Sequence, residues 1–300
     1  MFAIVEFGSA VRGSSDKHSD RDLLIVSESS LHRALRQSYE NEGYSVSTLT
    51  SSQLSAMQQR GSLFIQHLKY ESRVLHDYQG FFNKWLARCQ LIQPTSDEIL
   101  RCIESIEFLY SWPADPRLNG WKADVAYCLF RDFLIKKLAT KSKLVFGLDN
   151  IENALQETAL FPELNMDYLK QLREAKAAYR IGSKILNITS GSLNYELKSL
   201  LEGIGLVIDK CSYISIEAYI MSLKNRRFTS AYEQLRSLEA AYLIARSDGA
   251  YHPEHRKLMS LIEAPNAYGS SQVRNQNKVG EYLEQVLTLK ANKAMHTTSV

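Results

Sequence analysis

The spacing of hydrophobic residues changes near Pro94, and this change constrains the fold more than any other feature. Before it, short apolar runs that end at glycine or serine alternate with helical segments, which predicts an α/β domain over residues 1–92. After it, apolar residues recur every three or four positions, which predicts an all-helical region over residues 93–300. We therefore expect an α+β chain, with a mixed sheet in the N-terminal domain and a helical C-terminal region that could divide again near 212–222.

Individual elements can be placed from turn residues and helix-capping patterns. Strands are expected at 2–7, 20–26, 44–49 and 73–76, with helices between them at 30–42, 51–60 and 63–71. Thr95 and Glu98 form a capping-box pattern that predicts the start of the next helix. Further helices are expected at 121–139, 149–157, 166–181 and 195–210, then as a pair over 215–245 and finally at 278–293.

Composition is that of an ordinary globular protein, with 45% hydrophobic and 23% charged residues. The net charge of +3 is too small to predict nucleic-acid binding from bulk charge. The four cysteines are scattered without a CxxC pair, which is typical of reduced thiols. Since no apolar run approaches the roughly 18 residues of a membrane span and no signal peptide is visible, we expect a cytoplasmic protein without membrane insertion.

Two short segments near the N-terminus carry the chemistry. Gly8 and Ser9 end the first strand, and such a turn exposes N–H groups and a hydroxyl that suit a triphosphate. Asp20 and Asp22 are two positions apart on the next strand, so both carboxylates point to one face and would repel each other without a cation. Hard divalent ions such as Mg²⁺ bind one or two carboxylates together with phosphate oxygens. The pair therefore predicts metal-assisted, in-line nucleotidyl transfer.

This arrangement resembles the nucleotidyltransferase superfamily, whose fold is shared with DNA polymerase beta. It is most similar to the minimal nucleotidyltransferases and the aminoglycoside adenylyltransferases, in which Gly-Ser-x-x-x-Gly and Ser-Asp-x-Asp-Leu recur. The matching residues here are Gly8, Ser9, Gly13, Ser19, Asp20, Asp22 and Leu23. The strong match covers about 25 residues. A weaker similarity runs through 61–77 and, more faintly, into a helical region like that of streptomycin adenylyltransferases.

The resemblance implies a Mg²⁺- or Mn²⁺-dependent enzyme that moves an NMP or dNMP from a nucleoside triphosphate to a hydroxyl acceptor and releases pyrophosphate. Asp20 and Asp22 would be its catalytic, metal-binding residues. The nucleotide-binding residues would be Gly8, Ser9, Arg12 and Ser19, although Arg12 could instead pair with Asp16. The acceptor could be a nucleotide, a protein or a small molecule, and an oligonucleotide product would suit bacterial antiphage defence.

One departure from the family pattern concerns the third carboxylate that its members carry on the next strand. Here residues 44–49 have serines where an acid is expected. A carboxylate from the helical region, such as Glu104 or Glu107, or the substrate itself could supply the missing base. Alternatively, the chain is a non-catalytic or antitoxin-like nucleotide-binding regulator that contacts a partner protein through its helices. An aminoglycoside-type small-molecule adenylyltransferase is the third alternative.

Three C-terminal features are weaker. The tail from Lys224 onward is slightly basic, with 11 Lys and Arg against 7 Asp and Glu. Tyr268 lies there in a polar, Gly/Ser-rich loop, where its hydroxyl could accept a nucleotide, although an exposed loop residue is the simpler interpretation. Arg246 and His252 have the Arg-x5-His spacing of HEPN ribonucleases, but Pro253 favours a surface loop. His252 and His255 have no third ligand nearby, so a zinc site is not expected.

Overall fold

The structure is a computed structural model, and it describes residues 2–13, 21–28, 32–110, 112, 115–181 and 189–207, with isolated positions at 218, 236, 237, 239, 240 and 243. The chain divides into two compact units. The first comprises Met1–Arg101 and Arg131–Leu160, and the second comprises Cys102–Phe130 and Phe161–Val300. The predicted division at 92/93 follows the change from strands to helices. The compact units are divided differently, since residues 131–160 belong to the unit that contains the sheet.

A four-stranded mixed sheet forms the centre of the first unit. Its strands are β1 (Ala3–Phe7), β2 (Arg21–Val26), β3 (Tyr44–Leu49) and β4 (Ser72–Asp77), in the order β3-β2-β1-β4. β1 pairs antiparallel with β2 and β4, and β2 pairs parallel with β3. The α+β class and the mixed sheet predicted from the sequence are therefore confirmed.

Five α-helices accompany the sheet among the residues described up to position 92, and both faces of the sheet are covered. They are α1 (Ser9–Arg12), α2 (His32–Asn41), α3 (Ser51–Gln59), α4 (Leu63–Tyr70) and α5 (Phe81–Arg88). One face places Val5, Phe7 and Leu24 in a core with residues of α3, α4 and α5, because alternate strand residues point the same way. The opposite face packs Ile4, Leu23 and Ile25 against apolar residues of α2 and β3.

Every element described beyond α5 is helical, as the spacing after Pro94 predicts. The bounds are α6 (Ser96–Tyr110), α7 (Asn119–Thr140), α8 (Leu148–Thr158), α9 (Met166–Arg180) and α10 (Ser190–Gly203), with a 3₁₀ turn at Pro116–Leu118. The predicted capping box is present at α6. The Thr95 N–H donates to Glu98 Oε2 at 2.8 Å, and the Glu98 N–H donates to Thr95 Oγ1 at 3.3 Å.

Several boundaries differ from those the sequence predicts. Residues 9–12, which the sequence pattern assigns to no helix or strand, form a single helical turn, and one turn is too short to show helical periodicity. α5 was not predicted. α10 begins earlier than expected because Thr189 caps it, accepting a hydrogen bond from the Ser192 N–H. The helices expected over 215–245 and at 278–293 fall almost entirely outside the described residues.

A buried ionic cluster lies in the second unit. The Asp124 carboxylate is fully buried and accepts hydrogen bonds from Arg180 Nη2 at 3.1 Å and Arg236 Nη2 at 2.6 Å. Arg236 Nη1 also reaches Glu239 Oε2 at 2.7 Å. Trp121 Nε1 donates to the Arg236 carbonyl at 2.9 Å. Both oxygens of the buried carboxylate therefore have charged donors.

Two composition-based expectations can be compared with the described residues. Cys89, Cys102 and Cys128 carry free thiols. None of the described helices is both long enough and apolar enough to cross a membrane.

Candidate functional site

The pairing of β1 with β2 brings the two halves of the N-terminal motif together. Phe7 lies opposite Asp22, so Gly8 follows directly at the end of the strand beside that carboxylate. A Cβ atom on Gly8 would lie only 3.2 Å from Asp22 Oδ2. The φ of Gly8 is +82°, which L side chains rarely adopt. Glycine is thus favoured here by its backbone conformation, and a Cβ atom would force the Asp22 carboxylate to shift by a few tenths of an ångström.

The backbone N–H of Gly8 is used within the fold. It donates to the Glu71 carbonyl at 3.0 Å and so ties the end of β1 to the end of α4. Gly8 therefore does not offer this donor to a ligand. The Val11 N–H is also used, since it donates to the Gly8 carbonyl at 3.2 Å. Groups that suit a phosphate here are therefore the N–H groups of Ser9 and Ala10 at the start of α1 and the hydroxyl of the half-buried Ser9.

Only part of the predicted site falls within the described residues. Asp22 is half-buried and supplies a carboxylate, the ligand type that Mg²⁺ prefers. Among the residues that the structure describes, no group of three or more His, Cys, Asp or Glu could hold a metal ion. Mg²⁺ commonly takes one or two protein carboxylates and completes its shell with phosphates and water, so Asp22 fits such an ion as one ligand. Outside the described residues lie Ser19, Asp20, Asp16, the Arg12 side chain, Arg246, His252, His255 and Tyr268.

A serine occupies the neighbouring strand position where the family pattern has an acid. β2 and β3 are parallel, and their register places Ser45 beside Asp22. Paired residues on neighbouring strands point to the same face of a sheet, so Ser45 shares the face of Asp22. Glu104 and Glu107, the alternatives considered from the sequence, are both exposed on α6 in the second unit.

The structure adds two residues that sequence reasoning missed, His67 and Glu71. His67 Nε2 lies 2.8 Å from Glu71 Oε2, and the two side chains are only 14% and 11% exposed. A Cβ atom on Gly8 would lie 4.0 Å from His67 Cε1. The histidine and Asp22 therefore both approach Gly8, from α4 and β2 respectively.

Aromatic residues fix the orientation of the His67 ring. Phe146 stacks on it with ring centroids 4.3 Å apart and an interplanar angle of 21°. Phe7 meets it edge-on at 5.8 Å. The Phe146 carbonyl in turn accepts a hydrogen bond from Arg131 Nη2 at 2.8 Å. The i, i+4 spacing of His67 and Glu71 could have indicated this pair, but only the packing of α4 against β1 shows that it lies beside Gly8.

No protein-family profile, curated protein or solved structure matches this chain. The resemblance to nucleotidyltransferases therefore depends on the motif residues themselves.

Proposed function

We propose that this chain is a metal-dependent nucleotidyltransferase. It would transfer an NMP or dNMP from a nucleoside triphosphate to a hydroxyl acceptor and release pyrophosphate. The observation that carries the proposal is the contact geometry of Gly8 and Asp22. Gly8 follows β1 and Asp22 lies on β2, and a Cβ atom on Gly8 would come within 3.2 Å of the carboxylate. Such a pairing of a Gly-Ser turn with a metal-binding carboxylate is what the resemblance implies.

Each residue has a role that follows from its place. Asp22, with Asp20, would hold Mg²⁺ or Mn²⁺, which when bound would neutralise the charge of the phosphates. Gly8 leaves room for the phosphates close to Asp22 because it has no side chain. Ser9 offers its hydroxyl and its N–H at the start of α1. Arg12 lies at the other end of the same turn, and Ser19 precedes the acidic pair.

The first prediction tests the metal ligand. In Asp22→Asn, pyrophosphate release from labelled NTPs or dNTPs with Mg²⁺ or Mn²⁺ should fall by at least about a hundredfold, since the charge that holds the cation is lost. Asp149→Asn is the matched control because Asp149 is exposed in the first turn of α8. It should leave the rate unchanged. Full pyrophosphate release by Asp22→Asn would contradict the proposal.

The same incubation identifies the acceptor. A ladder of products on a gel indicates a polymerising or signal-producing enzyme, as expected for antiphage defence. Labelled protein indicates a protein modifier, and a tryptic peptide containing Tyr268 with added nucleotide mass would identify self-labelling at that residue. Product that forms only with an added aminoglycoside indicates a small-molecule adenylyltransferase.

A second candidate function is nucleotide-dependent regulation without catalysis, in which the helices would contact a partner protein. Ser45 beside Asp22 favours it, because that position lacks the acid that family members use. A regulator would bind labelled nucleotide in equilibrium dialysis but release no pyrophosphate. Turnover that depends on Asp22 would exclude this alternative.

A further inference from the structure

We propose that His67 accepts the proton of the acceptor hydroxyl during the transfer and that Glu71 positions it. This inference rests on the proposed function. It assigns to His67 the role of base, because the position where the family pattern has an acid is a serine here. Neither residue belongs to the N-terminal motif. Both are brought to it by α4.

The first argument is position. Gly8 lies close to two functional groups, because a Cβ atom there would lie 3.2 Å from Asp22 Oδ2 and 4.0 Å from His67 Cε1. Cε1 is the ring carbon between the two nitrogens, so this corner of the imidazole is the part of the ring nearest to the Gly8 turn. A nucleotide bound at this turn would therefore lie close to both the imidazole and the carboxylate of Asp22.

The second argument is the protonation state of the ring. An ionised carboxylate only accepts hydrogen bonds, so Glu71 Oε2 at 2.8 Å requires the proton on Nε2. In the neutral imidazole Nδ1 then carries the lone pair and can accept a proton. Among the described residues, Glu71 is the hydrogen-bond partner of this ring.

The third argument is orientation. The ring stacks on Phe146 and meets the edge of Phe7, so its rotation is restricted on two sides. The Glu71 carbonyl also accepts a hydrogen bond from the Gly8 N–H at 3.0 Å, which fixes the distance between the His67–Glu71 pair and the Gly8 turn. A proton acceptor held in this way loses little freedom when the reacting groups meet.

The step can be written with its bonds and proton accounted for. The acceptor oxygen forms a bond to the α-phosphorus, and the bond from that phosphorus to the oxygen bridging the β-phosphate breaks. Pyrophosphate leaves with that electron pair. The hydroxyl proton passes to His67 Nδ1, and the resulting imidazolium pairs with the Glu71 carboxylate until solvent takes the proton.

His67→Ala is the decisive variant, measured in the full chain with ATP, GTP, CTP and UTP and Mg²⁺. We expect kcat for pyrophosphate release to fall by about 10²- to 10⁴-fold while the Kd for nucleotide stays within about threefold of wild type. Added imidazole should restore part of the lost rate, which a purely structural histidine would not show. His76→Ala is the matched control, because His76 is exposed on β4 in the same unit, and its rate should not change.

The positioning role is tested separately with Glu71→Gln. An amide can still accept from Nε2 but cannot pair with the imidazolium, so we expect a fall in kcat of about ten- to a hundredfold with unchanged nucleotide affinity. Glu71→Asp should recover part of this loss. Glu40→Gln removes another i, i+4 pair, that of Arg36 and Glu40 on α2, and should leave kcat unchanged.

A second measurement uses the wild-type chain, so it does not depend on whether the variants fold. Diethyl pyrocarbonate should modify His67, and a non-hydrolysable ATP analogue with Mg²⁺ should slow that modification. Activity should fall in step with the modified His67 peptide in mass spectrometry and not with the His76 peptide. Full activity in chain modified at His67, or wild-type kcat in His67→Ala, would overturn the role of His67 and leave the proposed function standing. Wild-type chain that binds no nucleotide would overturn both.

Discussion

At the scale of single residues, a side chain at position 8 would have two effects, backbone strain and a close contact with Asp22, and experiment can separate them. Alanine at this position would be strained at φ +82° and would also place its Cβ 3.2 Å from Asp22 Oδ2. Gly43, at the end of α2, has φ +85° but open space around it. Comparing the two substitutions therefore distinguishes backbone strain from displacement of the carboxylate.

We predict that Gly8→Ala and Gly43→Ala each lower the free energy of unfolding by about 1–3 kcal/mol through strain. Gly8→Ala alone should weaken nucleotide binding in equilibrium dialysis, since Asp22 or the turn must shift by a few tenths of an ångström to make room. Urea denaturation gives the stability of each variant. Equal nucleotide affinity in the two variants would show that the contact between Gly8 and Asp22 has no role in binding.

The site residues that the sequence indicates lie in a local pattern, whereas those that only the structure shows are brought together by packing. Gly8 and Asp22 belong to a local pattern whose spacing already implies phosphate and metal chemistry. His67 and Glu71 have no such pattern, because their importance comes from α4 packing against the end of β1. This packing brings His67 close to Gly8, although the two residues are nearly sixty positions apart in the sequence. Hydrophobic spacing carries no information about such distant pairs.

At the scale of elements, the strands and most helices were predictable because their signals are local. Tyr44–Leu49 has the bounds that alternation predicts, and the capping box of Thr95 and Glu98 marks the start of α6. α1 and α5 were not predicted. The first is a single turn, and the second follows a 3₁₀ segment in which Gln79 has a left-handed backbone conformation. Strand order and register depend on pairing across the sheet, which no local pattern specifies.

The capping box gives a prediction at this scale. Thr95→Ala removes the oxygen that accepts the Glu98 N–H at 3.3 Å, so it should lower the free energy of unfolding by about 1 kcal/mol. Since Thr95 is exposed, packing should not change. Thr95→Ser keeps the hydroxyl and should stay within about 0.5 kcal/mol of wild type. A loss in the serine variant as large as in the alanine variant would assign the effect to the threonine methyl group instead.

At the scale of the whole molecule, the division into compact units could not be predicted from the sequence. The boundary between the units falls between Phe130 and Arg131, inside the continuous helix α7. Helical spacing continues through this point, so no turn residue or change of period marks it. The change at Pro94 marks where strands give way to helices, which is a different property.

The buried ionic cluster gives the last prediction. Asp124→Ala would leave Arg180 and Arg236 without the carboxylate that both contact, at 3.1 and 2.6 Å, and the Arg236 side chain is only 6% exposed. Removing one partner of a buried ion pair costs about 3–5 kcal/mol, because the remaining charge stays desolvated. Asp132→Ala is the matched control on the same helix, since Asp132 is half exposed and pairs with Lys136 near the surface. It should cost no more than about 1 kcal/mol. Urea denaturation of both variants measures the difference. If the two losses were equal, the remaining ion pair of Arg236 with Glu239 would be enough to stabilise this guanidinium, and Asp124 would not stabilise the second unit in the way its burial indicates.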